Sequence, residues 1–421
     1  MSGSSQIVIT GMGAISPIGI GSDALWTSLR DGRSGVRDLA LFRDTDLPPA
    51  FGAAVADFDP KQVIRPRKSL KVMSRDIQMA FAAADLACKQ AGHDATPFDP
   101  DRMGVLFGAE PIPCELNDLI GAFRGCMESG RFDFRQWGAK AIPEMFPLWM
   151  LKYLPNMPAC HIAIAQDARG PNNSIALEDV SSLLAVAEAV RIIERGHAEV
   201  MVAGGVSSRI SPPLWVRSHV YHFNRSATEP TAASRPFDAG RNGMVPGEGA
   251  AAFVLETCRH AEARGATVLG RVLGFASAFE PHRGGRPLTG TAIRAAITGA
   301  LGHAGLGPGD LGHVNAHGAS TRDADRIEAQ AIRATLGDVP VFAPKSYFGN
   351  LGPGGGAVEM AASVLALSHG LVPATLNYDR PDPECPVNVI AGSAQPSRRP
   401  AALLLNHSIY GQAAAVVLGA A

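Results

Sequence analysis

Two side chains with the means for proton chemistry stand beside long apolar runs. Asp179, in ALEDVSSLLAVAEAV, places a carboxylate just ahead of an amphipathic stretch, and His317, in HVNAHGAS, follows a short buried-looking run. A carboxylate and an imidazole within reach of one another form an acid-base pair able to activate water or take a proton from carbon. Asp179 also has the type and place of a helix N-cap, whose oxygen accepts an orphan N–H of the first turn. Both readings stand open. Glu178 beside it reads as a wall residue or as partner to a nearby cation. Cys160-His161 offers a thiol and an imidazole, but neighbours on a helix or strand point in different directions, and Cys160 reads as a small buried residue.

Other patterns carry less chemistry. Gly11-Met12-Gly13 follows an apolar run, but Ser16 occupies the place of the third glycine of a dinucleotide fingerprint, so it reads as a glycine turn. GPGGG at Gly352 to Gly356 lacks the lysine and hydroxyl of a nucleotide site and reads as a close backbone turn. The 12 histidines are not paired with carboxylates at i, i+4, so no metal centre is expected. The run RPRKSLKVMSRD, with Arg67, Lys68, Lys71 and Arg75, is a dense positive patch, either a solvated face or a docking surface.

These residues need a scaffold. Apolar runs bounded by glycine (QIVITGMG, MGVLFGA, AEVMVAGG, AAAFVLE, HVNAHG, PVFAP) alternate with amphipathic segments such as SRDIQMAFAAADLACKQAG, Asp179 to Arg195, TAIRAAITGALGHAG and AVEMAASVLALSHG. That alternation predicts an α/β protein with buried strands. Helix, strand and glycine recur as a block in each half, with a junction near residues 264 to 274. Residues 110 to 157 differ: they are rich in Phe, Trp, Met and Pro, as expected of a pocket cap or subunit contact. The chain has 421 residues, 46% of them hydrophobic, enough for a large core in one domain or two fused halves. With 38 basic and 39 acidic side chains, the net charge of -1 gives no global field for nucleic acid or an anionic membrane. The six cysteines have no C-x-x-C spacing, and no secretion signal or bilayer-length apolar run is visible, so a reduced cytoplasmic protein is expected.

The stretches IVITGMGAISPIG, SRPFDAGRNGMVPGEGAAAFVLE, VNAHGASTRDADRIEAQAI, PKSYFGNLGPGGGAVE, NYDRPDPEC and LLNHSIYGQAAAVVLG together resemble the beta-ketoacyl-acyl carrier protein synthases of the thiolase-like superfamily over nearly the whole chain. The resemblance implies a five-layer α-β-α-β-α fold of two similar halves, 1–263 (with the 110–157 cap or dimer-contact region) and 264–421. It further implies a dimer and a tunnel for acyl groups on the phosphopantetheine of an acyl carrier protein, with no cofactor bound by the protein itself. By the same resemblance, Asp179 occupies the place of the family's nucleophilic cysteine, whether counted forward from GPN or backward from Arg195-Gly196. His317 matches a catalytic histidine, Asn350 replaces the second, and Lys345 and Glu328 match a lysine and glutamate that pair near the site. Thr321 matches a contact to the pantetheine arm, while Ala319 replaces another. Ile409, Tyr410 and Gly411 stand in the gate, followed by Gln412. Arg67, Lys68, Lys71 and Arg75 correspond to the docking surface for the acidic carrier protein.

A carboxylate is a poor acyl carrier, because the mixed anhydride it would form is more activated than the incoming thioester. Ordinary Claisen condensation is therefore expected to be absent. The leading expectation is a ketosynthase-like subunit of a type II fatty acid or polyketide system, similar to chain-length factors. It would act as a homodimer or pair with a cysteine-bearing synthase. Two alternatives remain: a stand-alone enzyme using Asp179, His317 and Asn350 for thioester hydrolysis or another proton transfer, and a carrier-protein-binding scaffold.

Overall fold

A computed structural model describes residues 6–40, 51–216, 222–281 and 287–421. Ten strands build the centre: β1 (Ile7–Ser16), β2 (Met103–Gly108), β3 (Asn172–Ile175), β4 (Val200–Ser208), β5 (Glu248–Thr257), β6 (Gly270–Phe279), β7 (Leu311–Asn315), β8 (Pro340–Phe342), β9 (Ala401–His407) and β10 (Gln412–Gly419). Their order is β3-β2-β4-β5-β1 followed by β6-β10-β9-β7-β8. Numbered within its own half, each sheet thus runs 3-2-4-5-1. The pairings repeat as well: β2 is parallel to β3 and β4, as β7 is to β8 and β9, and the remaining neighbours are antiparallel. A short contact, Ile7–Ile9 against Gly270–Val272, joins the two sheets.

Most central strands are buried along their length, including all ten residues of β1 and all nine of β4. Strands covered on both faces read as continuous apolar runs, and helices must supply the cover. On the outer face of the first sheet lie α1 (Arg75–Gln90), capped by Ser74 through the Ile77 N–H, and the helix Met157–Gln166. Between the sheets lie α2 (Ser181–Glu194) and α5 (Gly355–His369), whose Val186, Val190, Met360 and Val364 share a core with Phe253 of β5 and Leu404 of β9. On the far face, α3 (Thr291–Ala304) and α4 (Arg322–Leu336) pack Ile297 and Ile332 against Leu403 and Val417. This is the five-layer α-β-α-β-α arrangement.

Three local expectations change. Gly11-Met12-Gly13 is not a turn but lies inside β1, where a Cβ on either glycine would collide with the α1 backbone at Ala87 or Ala83. The glycines let helix and strand approach closely. Cys160 is half-buried rather than buried, with Asn156 Nδ2 3.7 Å from its sulfur. The run expected as one helix from Asp179 opens instead as a 3-10 turn, Glu178–Val180, before α2. GPGGG does form a close turn, with φ of 55° at Gly352, and leads into α5.

Residues 110 to 157 form an excursion from the end of β2, with the helix Leu116–Gly125, a short hairpin and 3-10 segments. Phe123, Phe132, Phe134 and Trp137 pack into an aromatic cluster. Leu116, Phe134, Ile142, Leu148 and Met150 are nonetheless more than half exposed. Among the described residues no helix is long and apolar enough to cross a membrane.

Candidate functional site

The C-terminal ends of the parallel strands are where open α/β sheets place their sites. In both halves those ends carry buried polar residues: Glu110 beyond β2, Arg209 beyond β4, His317 beyond β7, His407 at the end of β9 and Lys345 beyond β8. A cavity of about 840 Å³ lies beside them, bordered by Asp179, His317, Thr321, His407, Ile409 and Gly411.

On its first wall, Asp179 does not cap α2. No side chain caps α2; Ser181 Oγ instead ties the turn ahead of it, accepting the Leu177 N–H at 2.9 Å and donating to Glu178 O at 2.6 Å. The Asp179 carboxylate instead meets Arg209, with Nη1 at 3.3 and 3.4 Å from its two oxygens. Arg209 is wholly buried and also donates to Glu110, through Nη2 at 3.2 Å, and to Asn350 Oδ1 at 3.1 Å. Ser207 Oγ donates to the same Glu110. The guanidinium fits because Gly352 lacks a side chain: a Cβ there would lie 2.6 Å from Arg209 Nε. Burial, reinforced by Asp179 and opposed by Arg209, pushes the Glu178 carboxyl up to about 7. Glu110, Asp179 and Glu178 thus crowd around one guanidinium, so acid exceeds base on this wall.

The opposite wall is arranged differently. The expected pair of Lys345 with Glu328 is not formed, because both Glu328 oxygens accept backbone N–H groups, from His317 at 2.7 Å and Gly318 at 2.8 Å. Lys345 faces α5, where its ammonium pairs with buried Glu359 and reaches His317 Nδ1 at 3.1 Å. Asn406 Nδ2 donates to the other Glu359 oxygen at 2.7 Å. Burial first, then the charges of Lys345, His407 and Arg209, hold the His317 pKa well below its ordinary value, so its imidazole is neutral. With Nδ1 accepting from an ammonium, the ring proton is assigned to Nε2.

Asn350 is oriented in the same way. Its Oδ1 accepts from Arg209 and from the Gly352 N–H at 2.8 Å, which leaves its buried Nδ2 without a hydrogen-bond partner among the described residues. The network therefore leaves His317 Nε2–H as a donor at the cavity lining, with the unpartnered Nδ2 of Asn350 buried behind it. His407 stands beside them, its ring centroid 4.5 Å from that of His317 and its Nε2 3.6 Å from Glu328 Oε2.

Asp179, His317, Thr321, Ile409 and Gly411 are thus brought to one cavity, with Asn350, Lys345 and Glu328 behind it. Tyr410 is half exposed and not part of the lining. The turn that holds it is fastened: Ser408 Oγ donates to Gln412 Oε1 and accepts the Tyr410 N–H at 3.2 Å, and Gly411 O accepts the Glu280 N–H at 2.9 Å. Of the four predicted docking cations, Arg67, Lys68 and Lys71 are exposed. Arg75 is committed elsewhere, its guanidinium bound to Glu248 at 2.7 Å and to Val55 O at 2.6 Å, because Glu248 is fully buried and needs a counter-charge. Sequence reasoning missed Arg209, Glu110, Glu359 and His407. The available signals were charged residues directly after the apolar runs MGVLFGA and AEVMVAGGVSS, and a histidine inside LLNHSIYG. Among the described residues no group of three or more His, Cys, Asp or Glu could hold a metal ion.

Family models agree with this architecture: that of the beta-ketoacyl synthase N-terminal domain matches residues 4–261 and that of the C-terminal domain residues 269–379. The chain belongs to the beta-ketoacyl synthase family. Among its relatives, the tetracenomycin polyketide synthase ketoacyl synthase alpha subunit of Streptomyces glaucescens is 33% identical, over 98% of this chain and 96% of that protein. The 3-oxoacyl-[acyl-carrier-protein] synthase 2 of Synechocystis sp. is 32% identical, over 93% of this chain and 92% of its own. Among solved structures, the ishigamide ketosynthase/chain length factor superposes with a TM-score of 0.86 at 25% identity, covering 99% of each chain. Within the beta-ketoacyl synthase family this chain is divergent, with a carboxylate at Asp179.

Proposed function

We propose that this chain is a non-condensing ketosynthase-like subunit of a type II fatty acid or polyketide system, comparable to a chain-length factor. It receives acyl chains on the phosphopantetheine of an acyl carrier protein. One observation carries the reading: Asp179, which the resemblance sets at the family's nucleophile position, has its carboxylate bound to buried Arg209. Held by that ion pair, it is a weak nucleophile, and its acyl product would be an anhydride above the thioester in energy. The His317 donor at the cavity, held by Lys345 through Nδ1, supports retention of thioester recognition.

The remaining parts follow from the same reading. Exposed Arg67, Lys68 and Lys71 steer the acidic carrier protein. The exposed apolar excursion at 110–157 contacts a second subunit, either the same chain or a cysteine-bearing synthase. Halves 1–263 and 264–421 act as one cytoplasmic protein. The test is to incubate the purified chain with acyl- and malonyl-carrier proteins and record its mass. An unmodified mass and no ketoacyl product are expected, whereas an acyl adduct on any residue rejects the proposal. Light scattering should give a dimer, alone or after co-expression with candidate synthases.

A further inference from the structure

The cavity holds a polar group that neither the carbonyl donor nor the ion pair uses. His407 is 7% exposed and borders the cavity, yet its Nε2 is buried without a hydrogen-bond partner among the described residues. The nearest carboxylate to that nitrogen is Glu328, whose Oε2 is 3.6 Å away. A sub-ångström movement closes that gap to a hydrogen bond, and catalytic contacts commonly tighten only when substrate binds. Glu328 is a firm anchor, since the backbone N–H groups of His317 and Gly318 fix both of its oxygens. With Nε2–H directed to Glu328, Nδ1 is the ring nitrogen left with a lone pair. The arrangement is a carboxylate 3.6 Å from an imidazole at the cavity, with the His317 ring tilted beside it as an N–H donor. These are the parts that acyl transfer to water requires.

The geometry points to a hydrolytic activity, with His407 as the general base that releases acyl chains from the carrier protein. The inference rests on the reading that the cavity accepts carrier-borne thioesters. Asp179 is the weaker candidate for the base, because its carboxylate is engaged by Arg209. In the step, the oxygen of a water molecule bonds to the thioester carbonyl carbon while His407 Nδ1 takes the water proton. Negative charge gathers on the carbonyl oxygen, which accepts from His317 Nε2–H. The carbon–sulfur bond then breaks, and the imidazolium returns its proton to the departing phosphopantetheine thiolate. Water and acyl thioester become carboxylic acid and carrier thiol, with no other reactant. In a subunit that cannot extend a chain, such an activity clears stalled or wrongly sized acyl groups.

The experiment uses the full chain, with its synthase partner where one co-purifies, and octanoyl-carrier protein as probe. Free thiol is followed with a chromogenic thiol reagent, acid by mass spectrometry in H2(18)O, and carrier binding by surface plasmon resonance. Release of octanoic acid with one labelled oxygen is expected, and His407→Gln should lower the rate about 100-fold, the ordinary scale for a lost general base. His407→Ala serves as a second variant, and melting temperature and carrier binding should be unchanged in both. Carrier binding by the wild type without acid release overturns the hydrolytic role alone. Wild-type release rates in both His407 variants overturn it too. Absence of carrier binding overturns the parent reading together with this one.

Discussion

The two halves repeat a strand order but equip its equivalent positions in opposite ways. Two residues beyond the second strand of each sheet stand Glu110 in the first half and His317 in the second. At the end of the fourth strand stand Arg209 and His407 respectively. The first half makes from these an ion network: Arg209 faces Glu110, Asp179 and Asn350 Oδ1, and of these Asp179 borders the cavity. The second half keeps its imidazoles neutral or unpartnered, with Glu328, Lys345 and Glu359 occupied in orienting them. The lesson is that one repeated strand order can carry a buried ion network in one half and histidines at a cavity in the other.

The sharpest way to break this comparison is to remove the cation of the first wall. Arg209→Met leaves buried Glu110 and Asp179 without a counter-charge and should cost about 3–5 kcal/mol, measured by urea denaturation. Asp179→Asn should cost less, about 1–2 kcal/mol, because Arg209 retains Glu110. Equal losses from both would show that the network is not organised around Arg209. On the opposite wall the order of effects reverses. His317→Ala should change melting temperature little and lower thioester turnover about 100-fold, the scale of a lost oxyanion donor. A large stability loss with intact turnover would make His317 a structural residue.

Glu178 gives a smaller, pH-dependent contrast. Its carboxyl is pushed up to about 7 from an ordinary 4.5, so between those values the folded state holds a proton that the unfolded chain has released. Stability must therefore fall as pH rises through that window, and the penalty is complete above about 7. Glu178→Gln removes the penalty, so its melting temperature should exceed that of wild type by a margin that grows from pH 5 to pH 8. A constant margin would place the excess of acid elsewhere. The smallest effects belong to the surface. Lys68→Glu or Lys71→Glu should slow carrier association several-fold, more at low salt, with stability unchanged. Arg75→Ala should instead lower the melting temperature, because it strands buried Glu248.

The sequence by itself determined the alternation of strands and helices, since strands buried on both faces must be continuous apolar runs. β1, β4 and α5 lie where their runs predict. It also determined that position 179 carries a carboxylate, and that His317, Thr321 and Ile409 belong to motifs that meet at a site. Which carboxylate pairs with which cation was decided only by the tertiary structure. Lys345 and Glu328 looked like partners, yet Glu359 of α5 takes the lysine and backbone N–H groups take Glu328. Asp179 had the local signature of a cap, yet no side chain caps α2 and Arg209, 30 residues along the chain, takes the carboxylate. Periodicity and capping are short-range properties that a sequence displays directly. Buried ion pairs form between the ends of strands distant in sequence, where desolvation makes every charge seek a counter-charge, and only the assembled layers fix which groups meet.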